Sequence, residues 1–342
     1  MRAVTYVAPR EVAVVDRPAP EISSADEALI EIRVSGICGS DLHIYHGDIP
    51  VDAGTTIGHE YVAVVIEVGD GVRELAPGDR VVGGFQTACG VCWLCRRGQF
   101  HKCDRSRTFG HGKTLGSLDG TQAERAVVPY ADVTLRRVPD EIDDEVALFA
   151  GDALSTGYHA VAGLVPGETV VVLGLGPVGL CAVQCALVSG AAQVIAIDSV
   201  EERLELAKRF GAVAVHLSEE SPRDEVKRLT DGRGAERVVE AVGSPQALDS
   251  AIRLAAKRAV VKVVGVHAAP AEVHLGIAWI KSLEIQPGHA NVLGHIDHVL
   301  RLLAAGRLDP GPIVTHRMRL EEAPAAYAVY DAREALKVVL QT

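Results

Sequence analysis

Between residues 168 and 198 a strand, a glycine turn, a helix and a second strand follow one another without interruption. ETVVVL (168–173) is apolar and rich in valine, GLGPVG (174–179) supplies the turn, LCAVQCALVS (180–189) has helical length and stops at Gly190, and QVIAID (193–198) ends on Asp198. This order constrains the chain more than any other stretch, because two parallel strands need a crossover, usually a helix. The alternation continues with a helix near 200–210, AVAVHL, a helix near 222–230, RVVEAVG, a helix near 245–256 and AVVKVVGV (259–266). Such a series predicts an α/β domain, a doubly wound parallel sheet with helices on both faces.

Gly174, Gly176 and Gly179 form G-x-G-x-x-G at the junction of strand and helix, and Asp198 stands nineteen positions past the last of them. The glycines alone are a weak signal. The strand before them, the helix after them and the acid closing the next strand make a dinucleotide fingerprint. The first glycine permits the tight turn, the second lets the backbone approach a pyrophosphate drawn to the helix N-terminus, and the third lets helix and strand pack closely. Pro177 and Val178, inside the turn, and Val266, at the end of AVVKVVGV, join the expected cofactor contacts. Asp198 is placed to accept hydrogen bonds from the adenosine ribose and to repel a 2′-phosphate, which favours NAD over NADP. Ser199 and Val200 offer no cation beside it, while Arg203 is near enough in sequence to lie over the ribose. The plainer alternative is that the glycines only mark a turn and Asp198 caps the next helix.

Residues 1 to about 150 have a different rhythm. EALIEIRV (27–34), YVAVVIEV (61–68) and DRVVGG (79–84) alternate between GDG and PGD turns, the pattern of a mostly antiparallel, barrel-like β domain. The chain of 342 residues exceeds the roughly 250 to 300 at which single cores stop growing, so two domains are expected. Helical HVLRLLAAG (298–306) and strand-like ALKVVLQ (335–341) look like a return to the first, giving expected boundaries of 1–152, 153–288 and 289–342. A net charge of −11 without long single-sign runs argues against a nucleic-acid partner. No apolar run nears the roughly 18 residues that span a bilayer and no signal pattern is seen, so a cytoplasmic protein without membrane contact is expected.

ACGVCWLCRRGQFHKC (88–103) carries Cys89, Cys92, Cys95 and Cys103, four of seven cysteines, in a C-x2-C-x2-C-x7-C spacing. An odd cysteine count without an export signal does not suit a disulfide frame. An iron–sulfur run of the ferredoxin kind continues x3-C-P, whereas here seven residues intervene and Asp104 follows. Zinc fits better: four thiolates complete its tetrahedron, leave no position for a substrate, and would hold a lobe at about 88–104 together. Four clustered thiolates without a cation would repel one another.

The chemistry must then lie elsewhere. CGSDLH (38–43) and GHE (58–60) bring a thiol and an imidazole, Cys38 and His59, both good zinc ligands. A catalytic zinc takes three protein ligands and keeps a fourth position open. Spacing alone leaves the third undecided among Glu60, Asp152 and several histidines.

Taken together, CGSDLH, GHE, the four-cysteine lobe, GDALSTGYHA (151–160), VLGLGPVGL (172–180) and ALKVVL resemble, in content and order over nearly the whole chain, the zinc-containing medium-chain dehydrogenase/reductase family. This family comprises alcohol dehydrogenases and their polyol and threonine relatives. The resemblance implies a GroES-like β-barrel catalytic domain interrupted by a Rossmann domain. It implies two zinc ions per chain, a catalytic one on Cys38, His59 and Asp152 and a structural one on Cys89, Cys92, Cys95 and Cys103. Asp152 then falls with the members that ligate through aspartate, and Glu60 with an acidic neighbour that approaches the metal. Asp41 matches the carboxylate that orients the ligand histidine, and Thr156 a threonine flanking nicotinamide and substrate. The implied reaction moves hydride from an alcohol to NAD⁺, giving an aldehyde or ketone, with zinc as the Lewis acid on the substrate oxygen. Ser40 would take the hydroxyl proton and pass it through the nicotinamide ribose to His43, a residue type that changes charge near neutral pH. The implied partners are a small alcohol or carbonyl compound and, as in relatives, further copies in a homodimer or homotetramer.

Two other outcomes stay open. A polyol, sugar or threonine dehydrogenase would differ in pocket loops such as 44–57 and 109–119, and a catalytically silent nucleotide-binding protein would keep only the fold. The chain also departs from the family pattern. Gly39 stands where some members carry an arginine for the pyrophosphate, Arg125 where an aromatic residue is common, and YVAVVIEVG (61–69) has alanine and valine where glycine is frequent. Cys181 and Cys185, four apart on a helix, are expected to pack against the sheet. No role is read for Arg125, His46, His101, His111 or His267.

Overall fold

The computed structural model describes residues 1–342 except for the side chain of Thr114. The chain divides into two compact units, Met1–Ser155 with Asn291–Thr342, and Thr156–Ala290. The first unit opens with β1 (Arg2–Ala8) and β2 (Glu11–Asp16), an antiparallel ribbon, followed by β3 (Ala28–Ile37), β4 (Glu60–Val68), β5 (Arg80–Gly83), β6 (Arg125–Val128) and β7 (Leu135–Arg137). The second carries β8 (Thr169–Leu173), β9 (Gln193–Asp198), β10 (Val213–His216), β11 (Ala235–Glu240), β12 (Ala255–Val263) and β13 (Glu284–Pro287). The chain then returns to the first unit with β14 (His316–Arg319) and β15 (Val338–Gln341).

The large sheet of the first unit runs β14-β15-β3-β4-β5-β7, with β6 also paired to β3. Its pairings are antiparallel except β14 with β15. Along β3, Ile30, Ile32 and Val34 are buried while Glu31 and Arg33 face water, the alternation of a sheet with one wet face. From Val34 to Ile37 the strand lies between β15 and β4 and is buried throughout. This covered end delivers Cys38, and the buried start of β4 delivers His59 and Glu60.

The second unit is a six-stranded sheet in the order β10-β9-β8-β11-β12-β13, parallel throughout. Its central strand, TVVVL, is buried on both faces, as a parallel sheet covered by helices requires. Chain order reverses between β8 and β11, which opens a crevice beyond their C-terminal ends. The helix Pro177–Val188 starts there, three residues earlier than its apolar run suggests, because proline is well suited to the first helical position. Gly174 has φ 86°, a left-handed value costly for other residues, and a Cβ on Gly179 would strike the Gly174 carbonyl. Around the Cβ position of Gly176, by contrast, no heavy atom lies within 4 Å. The turn thus presents bare backbone. Cys181 and Cys185 are fully buried, and burial pushes the Cys185 thiol up. The strand expected at 259–266 ends at Val263, since the amides of Val264 and Gly265 turn onto the carbonyl oxygen of Glu240.

Candidate active site

Cys38 immediately precedes the helix Gly39–His46, which ends at Gly47. The Asp41 carboxylate reaches back to accept the Cys38 amide at 2.9 Å through Oδ2, while Oδ1 lies 3.0 Å from His59 Nδ1. One buried carboxylate therefore fixes both the start of the helix and the orientation of the imidazole. Burial opposes the charge on Asp41, yet the His59 ring and the Cys38 amide outweigh it and hold the carboxyl below its ordinary value. Burial likewise disfavours a charged His59, but the Asp41 and Asp152 carboxylates raise it well above the usual histidine range.

With Nδ1 held by Asp41, His59 turns Nε2 toward Asp152, whose Oδ2 lies 3.4 Å away. The same oxygen is 3.4 Å from Cys38 Sγ. Asp152 is carried by the short helical turn Phe149–Gly151. The three donor atoms lie within 4.8 Å of one another. Ordinary zinc–ligand bonds in a tetrahedron separate a nitrogen and an oxygen by about 3.3 Å and a sulfur and an oxygen by about 3.5 Å. The donor set therefore fits a zinc ion in kind and in spacing. Burial pushes the Cys38 thiol up and the Asp152 carboxylate adds to it, a cost that a divalent cation would remove. Burial works against the Asp152 charge too, but the His59 contact outweighs it and lowers the carboxyl. Ser40 Oγ lies 3.3 Å from His59 Nε2, on the donor side of the ring.

Glu60 is paired with Lys337, whose ammonium touches Glu60 Oε2 and donates to the carbonyl of Ile37 at 3.1 Å. Burial raises the Glu60 carboxyl against the pull of that ammonium. Sequence reading missed Lys337. Its signal is a charged residue inside the apolar run ALKVVL, which requires a buried counter-charge. Gln122 was missed as well. Its amide donates to the Gly36 carbonyl at 3.0 Å and lies 3.4 Å from Asp41, while Tyr327 donates to its oxygen at 2.9 Å.

The four lobe cysteines also lie within 4.8 Å of one another, with Cys92 and Cys103 sulfurs 4.0 Å apart, near the roughly 3.8 Å expected between sulfurs around tetrahedral zinc. Backbone amides point at the sulfurs, Cys89 and Arg105 toward Cys103 at 3.3 Å and Cys95 toward Cys92 at 3.5 Å. The Cys95 amide is the chief reason the Cys92 thiol drops to about 6, while burial pushes Cys95 up.

In the second unit Asp198 is engaged by backbone, accepting the amides of Leu175 at 2.6 Å, Ser199 at 2.7 Å and Val200 at 3.0 Å. Arg203 approaches it at 3.8 Å. Thr156 is buried and Val266 exposed. His43 Nδ1 lies 3.4 Å from Asp48. Of the residues without an assigned role, His46 contacts Asp331 at 2.6 Å and Arg125 pairs with Glu31 at 3.3 Å. The His101 amide reaches Asn291 at 3.4 Å, and His111 bonds the Phe109 carbonyl at 2.8 Å beside the His59 ring.

Residues 24–140 match the alcohol dehydrogenase GroES-like domain and residues 177–304 the zinc-binding dehydrogenase domain. Zinc-type alcohol dehydrogenase B of Aspergillus flavus is 35% identical, over 100% of this chain and 81% of its own. Alcohol dehydrogenase TADH from Thermus sp. ATN1 has the same fold at TM-score 0.96 and 45% identity, covering 100% of this chain and 99% of that one. L-threonine 3-dehydrogenase of Pyrococcus abyssi is 33% identical over 96% of this chain and 94% of its own. A zinc-binding dehydrogenase from Sinorhizobium meliloti, bound to NADP, matches at TM-score 0.88 and 28% identity, over 100% of this chain and 99% of that one.

Proposed function

Because the chain belongs to the zinc-containing medium-chain dehydrogenase/reductase family, we propose that it is an NAD-dependent alcohol dehydrogenase, moving hydride reversibly between an alcohol and NAD⁺. The observation that carries this reading is a buried thiol, imidazole and carboxylate, on Cys38, His59 and Asp152, with the Ser40 hydroxyl beside them. These three side chains would hold zinc, which supplies Lewis acidity at the substrate oxygen. Asp41 keeps His59 in its ligating tautomer. Ser40 receives the hydroxyl proton, and His43, three residues on along the same helix and partly exposed, passes it toward solvent. Glu60, tied to Lys337, stands one residue from the ligand histidine as a reserve carboxylate. The cysteine lobe holds a second zinc that takes no part in the chemistry.

The Gly174–Gly179 turn and the helix behind it receive the pyrophosphate, with Pro177 and Val178 in the same turn, and Thr156 and Val266 belong to the nicotinamide side. Asp198 with Arg203 receives the adenosine ribose. A 2′-phosphate would meet the Asp198 carboxylate, and this supports NAD over NADP. Association with further copies of the chain is supported by the helix Leu275–Lys281, where Leu275, Trp279 and Ile280 are 73%, 81% and 70% exposed beside the sheet's edge strand β13. No helix is long and apolar enough to cross a membrane, and seven unbridged cysteines suit the reducing cytoplasm.

The test is NADH absorbance with zinc-replete protein, NAD⁺ or NADP⁺, and a panel of primary and secondary alcohols, polyols and threonine. Turnover with NAD⁺ that disappears in Asp152→Ala supports the reading and names the substrate class. Turnover confined to polyols or threonine selects those family activities instead. Nucleotide binding without turnover on any member of the panel overturns the reading.

A further inference from the structure

We propose that Gln122 is a positioning residue for the Cys38–His59–Asp152 centre, holding the Asp41 carboxylate in the rotation that presents its other oxygen to His59. This rests on the metal reading above and assigns a role behind it. Gln122 is 0% exposed, and the backbone fixes it from two sides, its amide donating to the Ile57 carbonyl at 3.0 Å and its carbonyl accepting the Val4 amide at 2.8 Å. The side chain crosses Gly58, the residue before His59, so closely that a Cβ on Gly58 would strike it. Beyond that crossing the side-chain amide meets three partners. Nε2 lies 3.0 Å from the Gly36 carbonyl and 3.4 Å from Asp41 Oδ2, and Oε1 lies 2.9 Å from the Tyr327 hydroxyl.

These partners permit one orientation of the amide. A carbonyl and a carboxylate only accept, so the NH2 faces Gly36 and Asp41 with one N–H for each, and the oxygen is left to Tyr327, whose hydroxyl donates. Turned over, the amide would set its oxygen against two buried acceptors, an arrangement burial makes costly. Tyr327 is itself 0% exposed on the helix Ala323–Asp331, so the oxygen is pinned by a packed element. Asp41 needs such support because it serves two ligands at once. Oδ2 accepts the Cys38 amide at 2.9 Å, and Oδ1 lies 3.0 Å from His59 Nδ1. A carboxylate turns easily about its terminal torsion, and a second donor on Oδ2, arriving from a separate segment, restricts that turn. Gln122 thus touches the chain at Gly36, Gly58 and Asp41, next to both the thiol and the imidazole. The contact with Asp41 is long, which makes it one modest hydrogen bond in weight.

The experiment is chelator competition on zinc-loaded protein, resolving release of the two ions, for wild type, Gln122→Met and Tyr327→Phe, each with Asp41 intact and with Asp41→Ala. Gln122→Met keeps the length of the side chain and removes both N–H groups. It should hold the three-donor zinc about three- to tenfold more weakly, the weight of one lost hydrogen bond, with the lobe zinc unchanged as the internal control for folding. Tyr327→Phe, which only frees the amide to turn, should give a smaller loss of the same kind. With Asp41→Ala no carboxylate remains to be held, so either substitution should change retention by less than about twofold, the non-additivity of residues that act through one another. Equal loosening of both ions, no loosening, or the same loss with and without Asp41 overturns the assignment while leaving the metal reading in place. Wild-type protein that holds zinc in the lobe alone removes the metal reading and this role with it.

Discussion

The cysteine lobe and the Cys38–His59–Asp152 set lie in the same unit and each crowd their donor atoms within 4.8 Å, but they are built in opposite ways. The lobe draws four identical sulfurs from one loop, residues 89–103, and orients them with backbone amides. The other set draws three unlike donors from three segments, Cys38 and Asp152 being 114 positions apart, and orients them with a buried side chain, Asp41. Four thiolates saturate a tetrahedral ion, whereas three donors leave one position for a substrate. A hydroxyl stands beside the second set, 3.3 Å from its imidazole. On the proposed function, the difference teaches that ligand count and the side chains behind the ligands, rather than the presence of metal-binding residues, separate a site built to hold structure from one built for chemistry.

Asp152→Ala is the strongest attempt to break this contrast. Turnover should fall by about three orders of magnitude or more, since the Lewis acid it helps hold is worth several kcal/mol of barrier. Metal analysis should show one zinc lost per chain and one kept. Activity within tenfold of wild type would place the reaction elsewhere. Cys103→Ser should give the complementary result. It too loses one zinc, but the loss appears as a destabilisation of about 4 kcal/mol or more, the scale of a lost structural metal, read from urea unfolding. Turnover per folded molecule at low temperature should stay near wild type, and a collapse of turnover without a loss of stability would erase the distinction. Asp41→Asn sharpens the contrast from behind the ligands: zinc retention at the three-donor site should weaken about 10- to 100-fold in a chelator competition, with the lobe zinc unaffected.

The same contrast explains what the sequence reveals. The lobe is legible because its donors share one loop and their spacing is a pattern in itself. The three-donor set is not, since nothing in the spacing of Cys38 and His59 points to Asp152; the sequence reaches it only through family resemblance. The centre of the parallel sheet, β8 and β9, reads directly, because strands covered on both faces carry apolar runs, TVVVL and VIAI, and Gly174 and Gly179 punctuate them. The sheet order of the first unit does not, because β15 joins β3 from the far end of the chain through pairings such as Val338 with Ile37. Lys337 was hidden for the same reason. Its partner Glu60 lies 277 positions away, and only the fold brings the two charges together. Glu240 and His267 are likewise two ordinary residues until the loops after β11 and β12 are stacked.

The smallest expected effect tests whether the three-donor set has a route for protons that the lobe does not need. His43 lies three residues beyond Ser40 on one helix, so the two side chains share a face, and its ring is partly open to water beside Asp48. A structural metal exchanges nothing with solvent, while an alcohol oxidation must release one proton each turnover. His43→Ala should leave zinc content and nucleotide affinity unchanged and slow turnover about tenfold, at the weak end of general acid–base effects because the ring acts as a carrier and not at the reacting atoms. Added imidazole buffer should restore the rate in proportion to its concentration, since a diffusing base can do the work of the missing one. A variant that runs at the wild-type rate and ignores the buffer would show that the proton leaves by another path, and the contrast between the two donor sets would then rest on the number, kind and orientation of their donors alone.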